Sequence, residues 1–352
     1  MRYALPARPR PIVIIGAGGI VRDAHLPAYR IAGLRVQGIC DLDAARANRL
    51  AAEHGITRVY SGSAEAFREA PTDAVFDVAT PPDAILPVLA EAPDGAVVLV
   101  QKPMGRDLAE ARAIRDLCRR KRLIAAINFQ LRFAPAMQEA RRLIDQGAIG
   151  DVHDMEVRVN VFMPWHLWPF LEGLARMEIP LHSIHYLDLI RSFFGEPHAV
   201  WARTTKHPSV PRLASARSHI ILDYGEMRRA AVTTNHGHVY GPRHQESYVK
   251  WEGTRGAIKT RLGLLMDYPK GVPDEFEFCT VEEGRAPEWT SVAIEGSWYP
   301  HAFIGTMSSL MRFAEGSDTC LPTSIDDAYR TMELVEAAYR SNDSGGTPVL
   351  HD

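Results

Sequence analysis

Lysine is scarce in this chain of 352 residues. The sequence holds 40 basic residues, and only six of them are lysine. A general codon preference for arginine is the simplest explanation. It also means that a lysine at an informative position is not one of many on a lysine-rich surface. The six are Lys102, Lys121, Lys206, Lys250, Lys259 and Lys270.

Cysteine pairs, long apolar runs and a strong net charge are also missing. The four cysteines are far apart and form no C-x-x-C pair, which argues against structural zinc or a redox dithiol. No stretch approaches the roughly 20 apolar residues of a membrane helix, and the N-terminus has no apolar signal segment. The net charge of −3 gives no field that attracts nucleic acid. We therefore expect a cytoplasmic protein without membrane or nucleic-acid partners.

The length and the hydrophobic pattern predict two domains. In the first third, short apolar runs alternate with helical segments, which predicts an α/β Rossmann domain with a doubly wound parallel sheet. Beyond about residue 150, strands separated by Gly and Pro turns follow one another with few helices. This predicts an α+β domain with a large, mostly antiparallel open sheet. We place the domains at residues 1–127 and 128–352, with a C-terminal helix at about 325–341.

A glycine-rich turn follows the first predicted strand and opens a helix. Gly16 permits the tight turn, and Gly18 lets the backbone approach a pyrophosphate at the helix N-terminus. Asp41 ends the second strand, where its carboxylate can accept hydrogen bonds from an adenosine ribose and would repel a 2′-phosphate. These residues predict NAD, and Arg46 keeps NADP open. An ordinary strand–helix connection and a capping aspartate are the alternatives.

Two further segments carry candidate chemistry. Lys102 follows a buried strand at its carboxyl end, where open α/β sheets place their ligands; a loop lysine beside a proline is the alternative. His182, His185 and Asp188 share one face of a helix predicted over residues 180–194, and this set suits proton transfer because His titrates near neutral pH. They lack a third ligand at a predictable spacing, so we predict no metal site. Core histidines with local hydrogen bonds remain the alternative.

An ordered set of motifs resembles the Gfo/Idh/MocA family, the relatives of glucose–fructose oxidoreductase and inositol dehydrogenase. The resemblance spans nearly the whole chain. The motifs are Gly16-Ala17-Gly18-Gly19-Ile20 with His25, Ala79-Thr80-Pro81-Pro82, Gln101-Lys102-Pro103, Asn128…Arg132-Phe133…Pro135, Gly147-Ala148-Ile149-Gly150, His185-Tyr186-Leu187-Asp188 and Trp298…Phe303…Phe313-Ala314-Glu315-Gly316.

The resemblance implies a Rossmann domain followed by an open-sheet domain whose large sheet packs against a partner, giving a homodimer or homotetramer. It implies that Lys102 lies near the nicotinamide and the substrate, in a peptide bond to Pro103 that is often cis in the family. It also implies that His185 takes or gives the hydroxyl proton. The cofactor site that it implies comprises Gly16, Gly18, Gly19, Ile20, Asp41, Thr80, Pro81, Gln101 and Lys102.

Two residues depart from the family pattern. Gln101 replaces a glutamate, so it offers hydrogen bonds but no charge beside Lys102. Leu181 stands where the family often has an aspartate four residues before the histidine. We expect His182 to take over the role of that aspartate, and Asp188 to orient or relay protons.

Three residues are candidates for substrate binding besides His182. Trp165 and His166 lie in a proline-punctuated loop, where an aromatic face can stack on a sugar ring; a loop packed on the core or an oligomer contact is the alternative. Arg132 falls where the family tends to place a residue near the substrate. Its planar guanidinium could hold a carboxylate or vicinal hydroxyls, which leaves a sugar acid open.

We therefore predict an NAD(P)-dependent oxidoreductase of carbohydrate metabolism, which transfers hydride between nicotinamide and a hydroxyl or carbonyl of a sugar, cyclitol or sugar-acid-like substrate. Lys102 and His185 would assist proton transfer. One alternative is a glycosidase-type enzyme that uses bound NAD through transient oxidation. The other is a nicotinamide-binding regulatory protein without catalysis, which Gln101 and Leu181 favour and the retained Lys102 and His185 oppose.

Overall fold

The computed structural model describes residues 3–268 and 270–349 and divides into two compact units. The first unit comprises Met1–Pro135 and Trp298–Met332, and the second comprises Ala136–Ser297 and Glu333–Asp352. The domain boundary expected after residue 127 stays a prediction; the first unit also takes in the segment Trp298–Met332. Residues 1–2 and 350–352, at the ends of the expected domains, lie outside the described residues.

The first unit contains a six-stranded parallel sheet. In space its strands follow the order β3-β2-β1-β4-β5-β6. The strands β1, β4 and β5 are buried on both faces; β1 and β5 are therefore unbroken apolar runs in the sequence, and β4 is apolar except for Asp77. The strand order reverses between β1 and β4, the position at which doubly wound sheets bind their ligands. The bounds are β1 (Ile12–Ile15), β2 (Val36–Cys40), β3 (Arg58–Val59), β4 (Val75–Val78), β5 (Val97–Val100) and β6 (Ile124–Ile127).

The second unit contains an eight-stranded sheet in the order β14-β13-β12-β11-β7-β10-β9-β8. Its neighbours pair antiparallel, except for the parallel pair of β7 with β10. One face is covered and the other is not, as the alternation of buried Met155, Val157 and Val159 along β7 illustrates. The bounds are β7 (Val152–Asn160), β8 (Ala199–Thr205), β9 (Arg217–Asp223), β10 (Arg229–Asn235), β11 (Glu246–Gly253), β12 (Gly256–Arg261), β13 (Glu275–Thr280) and β14 (Glu288–Ser291).

Both sheets confirm the predicted fold class, a parallel Rossmann sheet followed by a large, mostly antiparallel one. The helices are α1 (Leu26–Ala32), α2 (Ala44–His54), α3 (Ser63–Glu69), α4 (Pro82–Glu91), α5 (Leu108–Arg120), α6 (Pro135–Asp145), α7 (Ile184–Phe194), α8 (His301–Ala314) and α9 (Ile325–Ser344). A π-helical turn, Val21–His25, leads into α1, and another, Ile179–Ser183, leads into α7. None of the helices within the described ranges is both long and apolar enough to span a membrane.

Four of these helices were not predicted: α3, α4, α6 and α8. Prolines obscure the helical pattern of two of them in the sequence: α4 begins at Pro82 and contains Pro87, and α6 begins at Pro135. Proline fits the first helical turn, where its missing N–H has no partner to lose, but an interior proline such as Pro87 normally argues against a helix. The C-terminal helix α9 agrees with the prediction and extends three residues further.

Candidate active site

The carboxyl ends of β1, β4 and β5 lie side by side at one edge of the first sheet. The glycine turn follows β1, Thr80 follows β4, and Lys102 follows β5. The topology therefore places three segments that the sequence singled out independently on neighbouring strands. This edge is where an open α/β sheet binds a dinucleotide.

The glycine turn has the shape that a pyrophosphate requires. Gly16 has φ of +108°, and a Cβ there would lie 2.4 Å from the carbonyl oxygen of Ala79, so any side chain is excluded. A Cβ on Gly18 would meet no protein atom within 4 Å, which leaves room for a ligand against the backbone. The first helical turn starts at Gly19 and Ile20, where N–H groups lack intrahelical acceptors and favour an anion. The turn fits the predicted cofactor.

Asp41 directly follows β2, and each of its carboxylate oxygens accepts a hydrogen bond from a backbone N–H. Its Oδ2 accepts a 2.6 Å hydrogen bond from the N–H of Ala17, and its Oδ1 accepts one of 2.8 Å from the N–H of Asp43. A guanidinium nitrogen of Arg46 lies 3.8 Å from Oδ1. The carboxylate is thus tied to the glycine turn, with a cation nearby that could meet a 2′-phosphate.

Thr80 and Pro81 connect β4 to α4. The hydroxyl oxygen of Thr80 is buried and has no hydrogen-bond partner in the part of the chain that the structure describes. Asn128, directly after β6, is fully buried, and the nitrogen and oxygen of its side-chain amide also have no hydrogen-bond partner among the described residues. Orphaned polar atoms of this kind need a partner. At this edge of the sheet they fit polar groups of a bound cofactor or substrate. Asn128 was part of a motif in the sequence but was not proposed as a site residue.

Lys102 lies at the carboxyl end of β5, as predicted. Burial disfavours its charged form and lowers the pKa of Lys102 to about 8. Its backbone N–H donates a 2.9 Å hydrogen bond to Oε1 of Gln101, and its peptide bond to Pro103 is cis, as the family resemblance implied. A lysine with this pKa exchanges protons near neutral pH more readily than a surface lysine does.

A buried polar network supports Gln101. His25 Nδ1 lies 2.6 Å from Oδ2 of Asp77, and the Tyr29 hydroxyl donates a 2.7 Å hydrogen bond to the same oxygen. The opposite ring nitrogen of His25 lies 3.4 Å from the amide nitrogen of Gln101. Sequence reasoning missed Asp77 and Tyr29. The available signal was Asp77 itself, a charged residue in the middle of a fully buried strand.

In the second unit, His185 and Asp188 lie in α7 and are buried. Asp188 Oδ1 lies 4.0 Å from a guanidinium nitrogen of Arg191, which also pairs with Glu196. His182 lies in the π-helical turn Ile179–Ser183, whereas the sequence predicted one continuous α-helix through all three residues. The π-helical turn changes the register, so the expected common face begins only at α7.

The structure brings Trp165 and His182 together, with their ring centroids 5.6 Å apart. Trp165 and the exposed His166 lie in a short 3₁₀ turn, Trp165–Leu167, that lines a cavity of about 220 Å³. His236, which the sequence analysis did not single out, lines the same cavity and lies with its ring 4.4 Å from that of His182. Glu178 is a second missed residue, 3.4 Å from His236. No motif marks His236, because it lies 54 positions after His182, whereas Glu178 lies only four positions before His182.

Arg132 is engaged in contacts within the first unit. Its guanidinium donates a 2.8 Å hydrogen bond to the carbonyl of Pro322 and one of 2.7 Å to Oδ2 of Asp327. Only about 10% of its side chain is exposed. These contacts occupy the guanidinium that was expected to bind substrate. The role of Arg132 in substrate binding stays a prediction.

Two models of one protein family match this chain. The model for the GFO/IDH/MocA oxidoreductase family with an NAD-binding Rossmann fold matches residues 10–129. The model for the GFO/IDH/MocA C-terminal domain matches residues 137–259. The two matches follow each other in the expected order and together cover more than half of the chain.

Named relatives agree with this match. A D-apiose dehydrogenase of Paraburkholderia graminis is 27% identical over 351 residues, covering 96% of this chain and 88% of that protein. A scyllo-inositol 2-dehydrogenase (NADP⁺) of Bacillus subtilis is 22% identical, covering 73% of each. The crystal structure of an oxidoreductase from Agrobacterium radiobacter in complex with NAD⁺, L-tartaric acid and magnesium has the same fold, with a TM-score of 0.79, 22% identity and coverage of 96% and 98%.

The predicted NAD(P) cofactor is confirmed by the match to an NAD-binding Rossmann family and by the shape of the glycine turn. The predicted enzyme class, an NAD(P)-dependent dehydrogenase or reductase acting on CH–OH groups, is confirmed by the same match and by these dehydrogenases. The chain belongs to the Gfo/Idh/MocA family of oxidoreductases.

Proposed function

We propose that this enzyme transfers hydride between NAD(P) and a hydroxyl or carbonyl of a sugar, cyclitol or sugar-acid-like substrate, in carbohydrate metabolism. The observation that carries the proposal is Lys102, a lysine whose pKa burial lowers to about 8, at the sheet edge that also carries the glycine turn. A proton donor or acceptor tuned near neutral pH suits the oxidation of an alcohol, which releases one proton.

The first unit supplies the residues that would hold the cofactor. Gly16, Gly18, Gly19 and Ile20 would bind the pyrophosphate, and the bound nicotinamide supplies or accepts the hydride. The orphaned hydroxyl of Thr80, with Pro81 and Gln101, would contact the rest of the cofactor. Asp41 would accept hydrogen bonds from the adenosine ribose, so we expect NAD to be preferred, although Arg46 lies close enough to admit NADP.

Each acid–base residue has its own proposed role. Lys102 hydrogen-bonds the reacting oxygen and lowers the cost of its developing negative charge. His185 takes the hydroxyl proton during oxidation and returns it during reduction. His182 and Asp188 orient the proton path, with His182 in place of the aspartate that Leu181 replaces.

The substrate class rests on the relatives and on the aromatic turn. The named relatives act on apiose and on scyllo-inositol, both polyols. Trp165 could stack on the apolar face of such a ring, and His166 and His182 could bond its hydroxyls. Arg132 could bind a carboxylate of the substrate only if its contact with Asp327 opens.

We further propose that the protein is cytoplasmic and forms a homodimer or homotetramer through the large sheet of its second unit. Large apolar side chains on strands of that sheet support this assembly. Trp201, Ile221 and Trp289 are each about half exposed, at 56%, 49% and 48%. Exposed apolar groups on one face of a sheet are typical of contact surfaces.

The test is a steady-state assay of Lys102→Met and His185→Ala, with NAD⁺ and NADP⁺, on a panel that includes apiose, inositols, xylose and tartrate. We expect each variant to lose at least about 100-fold in kcat. Lys121→Met and His198→Ala, which change the same residue types away from the predicted site, should keep wild-type turnover. If Lys102→Met and His185→Ala also keep it, the assignment is wrong.

The same assay separates the two alternatives. Cleavage of a glycoside with tightly held NAD and no net cofactor turnover would indicate the glycosidase-type enzyme. Binding of nicotinamide cofactor without turnover of any polyol would indicate the regulatory protein. Either result would replace the proposed function.

A further inference from the structure

Glu178 is a carboxylate in the interior of the second unit, with no exposed surface. Its oxygens accept hydrogen bonds from the hydroxyls of Ser183, at 2.9 and 3.0 Å, and Thr234, at 2.9 Å. No lysine or arginine within the described ranges forms an ion pair with it. A buried charge needs a compensating cation. A histidine approaches it: Nε2 of His236 lies 3.4 Å from Oε1 of Glu178.

His236 is buried, with only 1% of its surface exposed. Neither ring nitrogen has a hydrogen-bond partner among residues 3–268 and 270–349, since the approach of Nε2 to Glu178 does not form a hydrogen bond. A buried imidazole with two orphaned nitrogens needs an explanation. An ion bound to one of these nitrogens would use its lone pair.

His182 completes a group of three. One ligand atom each from Glu178, His182 and His236 can be chosen so that all three lie within 4.8 Å of one another. Zn²⁺ binds His nitrogen and carboxylate oxygen at about 2.0–2.1 Å, which puts two tetrahedral ligand atoms about 3.3 Å apart. The 3.4 Å between His236 and Glu178 matches one edge of that tetrahedron. The nitrogen of His182 lies within 4.8 Å of both other ligand atoms, so it can supply the third corner.

We propose that Glu178, His182 and His236 bind a divalent transition-metal ion of the Zn²⁺ class, one per chain. Two imidazoles and one carboxylate favour such an ion over Mg²⁺ or Ca²⁺, which select oxygen ligands. Three protein ligands leave one coordination position for water or another oxygen. The cavity that His236 and Trp165 line gives solvent a route to this position.

The surroundings orient the carboxylate as a metal ligand requires. Ser218 Oγ lies 3.1 Å from Ser183 Oγ and 2.8 Å from Thr234 Oγ1, so three hydroxyls form one chain against Glu178. Outer hydrogen bonds of this kind fix ligand orientation, and their removal typically weakens metal binding by about 10–100-fold. The π-helical turn Ile179–Ser183 carries both His182 and Ser183.

The test uses the full chain without a polyhistidine tag, stripped with a chelator and then titrated with Zn²⁺ and Co²⁺. We expect one ion per chain, a visible Co²⁺ absorption band typical of a tetrahedral site, and a higher Tm with Zn²⁺. Glu178→Gln keeps an acceptor for Ser183 and Thr234, and should weaken binding by more than about 100-fold. His236→Gln should do the same. His219→Gln, which changes an exposed histidine of the same sheet, should bind as the wild type does.

The metal titration of the wild type tests the proposal even if a variant does not fold. If the stripped wild type takes up no stoichiometric Zn²⁺ or Co²⁺, the proposal is wrong. Wild-type affinity in both Glu178→Gln and His236→Gln would also overturn it. The readouts are metal content, absorbance and Tm, so they do not depend on the proposed enzymatic activity.

Discussion

His25 and Asp77 form a buried hydrogen-bonded pair, with 2.6 Å between Nδ1 and Oδ2, inside the first unit. The carboxylate is an acceptor, so the proton on the ring belongs on Nδ1, and Nε2 is left to accept from the amide of Gln101. Gln101 Oε1 in turn accepts from the N–H of Lys102. Asp77, His25, Gln101 and Lys102 thus form one hydrogen-bonded series.

We expect Asp77→Asn to destabilise the protein. The change removes a charge that accepts hydrogen bonds from both His25 and Tyr29. Hydrogen bonds to a buried charged group are worth about 1.5–3 kcal/mol, so the free energy of unfolding should fall by about 2–3 kcal/mol. Urea denaturation measures it. Asp73→Asn, at an exposed turn, should stay within about 0.5 kcal/mol of the wild type; equal losses in both variants would contradict the role of the network.

Gln101→Glu restores the family's usual residue and should raise the pKa of Lys102. A carboxylate next to the ammonium favours its charged form, so the alkaline limb of the pH profile of kcat/KM should move upward from about pH 8. Gln37→Glu, at the start of β2, serves as the control and should leave the limb in place. A downward shift in Gln101→Glu would contradict the prediction.

Residues that follow a strand were the predictable part of the site. Gly16, Asp41 and Lys102 each follow a recognisable apolar run, and the rule for parallel sheets then assigns them to one edge. These residues are far apart along the chain, but their grouping could still be predicted, because the strand order of a Rossmann sheet is regular.

The parts that were missed depend on contacts that no local pattern encodes. Glu178 directly precedes a π-helical turn that replaces the first turn of the predicted helix, and it meets His236, which directly follows β10. Neither feature follows from hydrophobic periodicity. The prediction of no metal site relied on the lack of a third ligand at a predictable spacing; Glu178, four residues before His182, was overlooked, and His236 follows a distant strand.

Lys102→Met should stabilise the cofactor-free protein at neutral pH. The pKa of Lys102 falls from 10.5 to about 8 on folding. Keeping the ammonium charged below pH 8 therefore costs up to about 3 kcal/mol, and about 1–3 after allowance for partial exposure. As pH rises from 8 to 10.5 the folded lysine is neutral while the unfolded one stays protonated, so the wild type gains stability and the difference disappears.

Chemical denaturation of Lys102→Met and the wild type between pH 6.5 and 10.5 measures this convergence. Lys121→Met, which removes a lysine that donates to the carbonyl of Ala92, should show no stabilisation at pH 7. A constant difference across the pH range would mean that Lys102 carries no depressed pKa.

Asp41→Asn should relax the preference for NAD. The amide has one acceptor oxygen, so it keeps one of the two hydrogen bonds from the N–H groups of Ala17 and Asp43, while the charge that repels a 2′-phosphate is gone. With Arg46 still near, the ratio of kcat/KM for NADP to that for NAD should rise at least about tenfold, equivalent to about 1.4 kcal/mol. Asp43→Asn, which keeps a good helix cap, should leave the ratio unchanged. An unchanged ratio in Asp41→Asn would remove this residue from the cofactor site.

Ile221→Glu should break the proposed assembly. Ile221 pairs directly with Trp201 across β9 and β8, and both side chains emerge half exposed on the same face of the sheet. A carboxylate placed in a contact between two chains would lose its hydration without gaining a partner, which costs several kcal/mol. The molar mass from light scattering should therefore drop to that of a smaller assembly. Ile31→Glu changes an isoleucine of α1 in the first unit that is 53% exposed, and it should leave the mass unchanged. If Ile221→Glu keeps the wild-type mass, the contact lies elsewhere than on this part of the sheet.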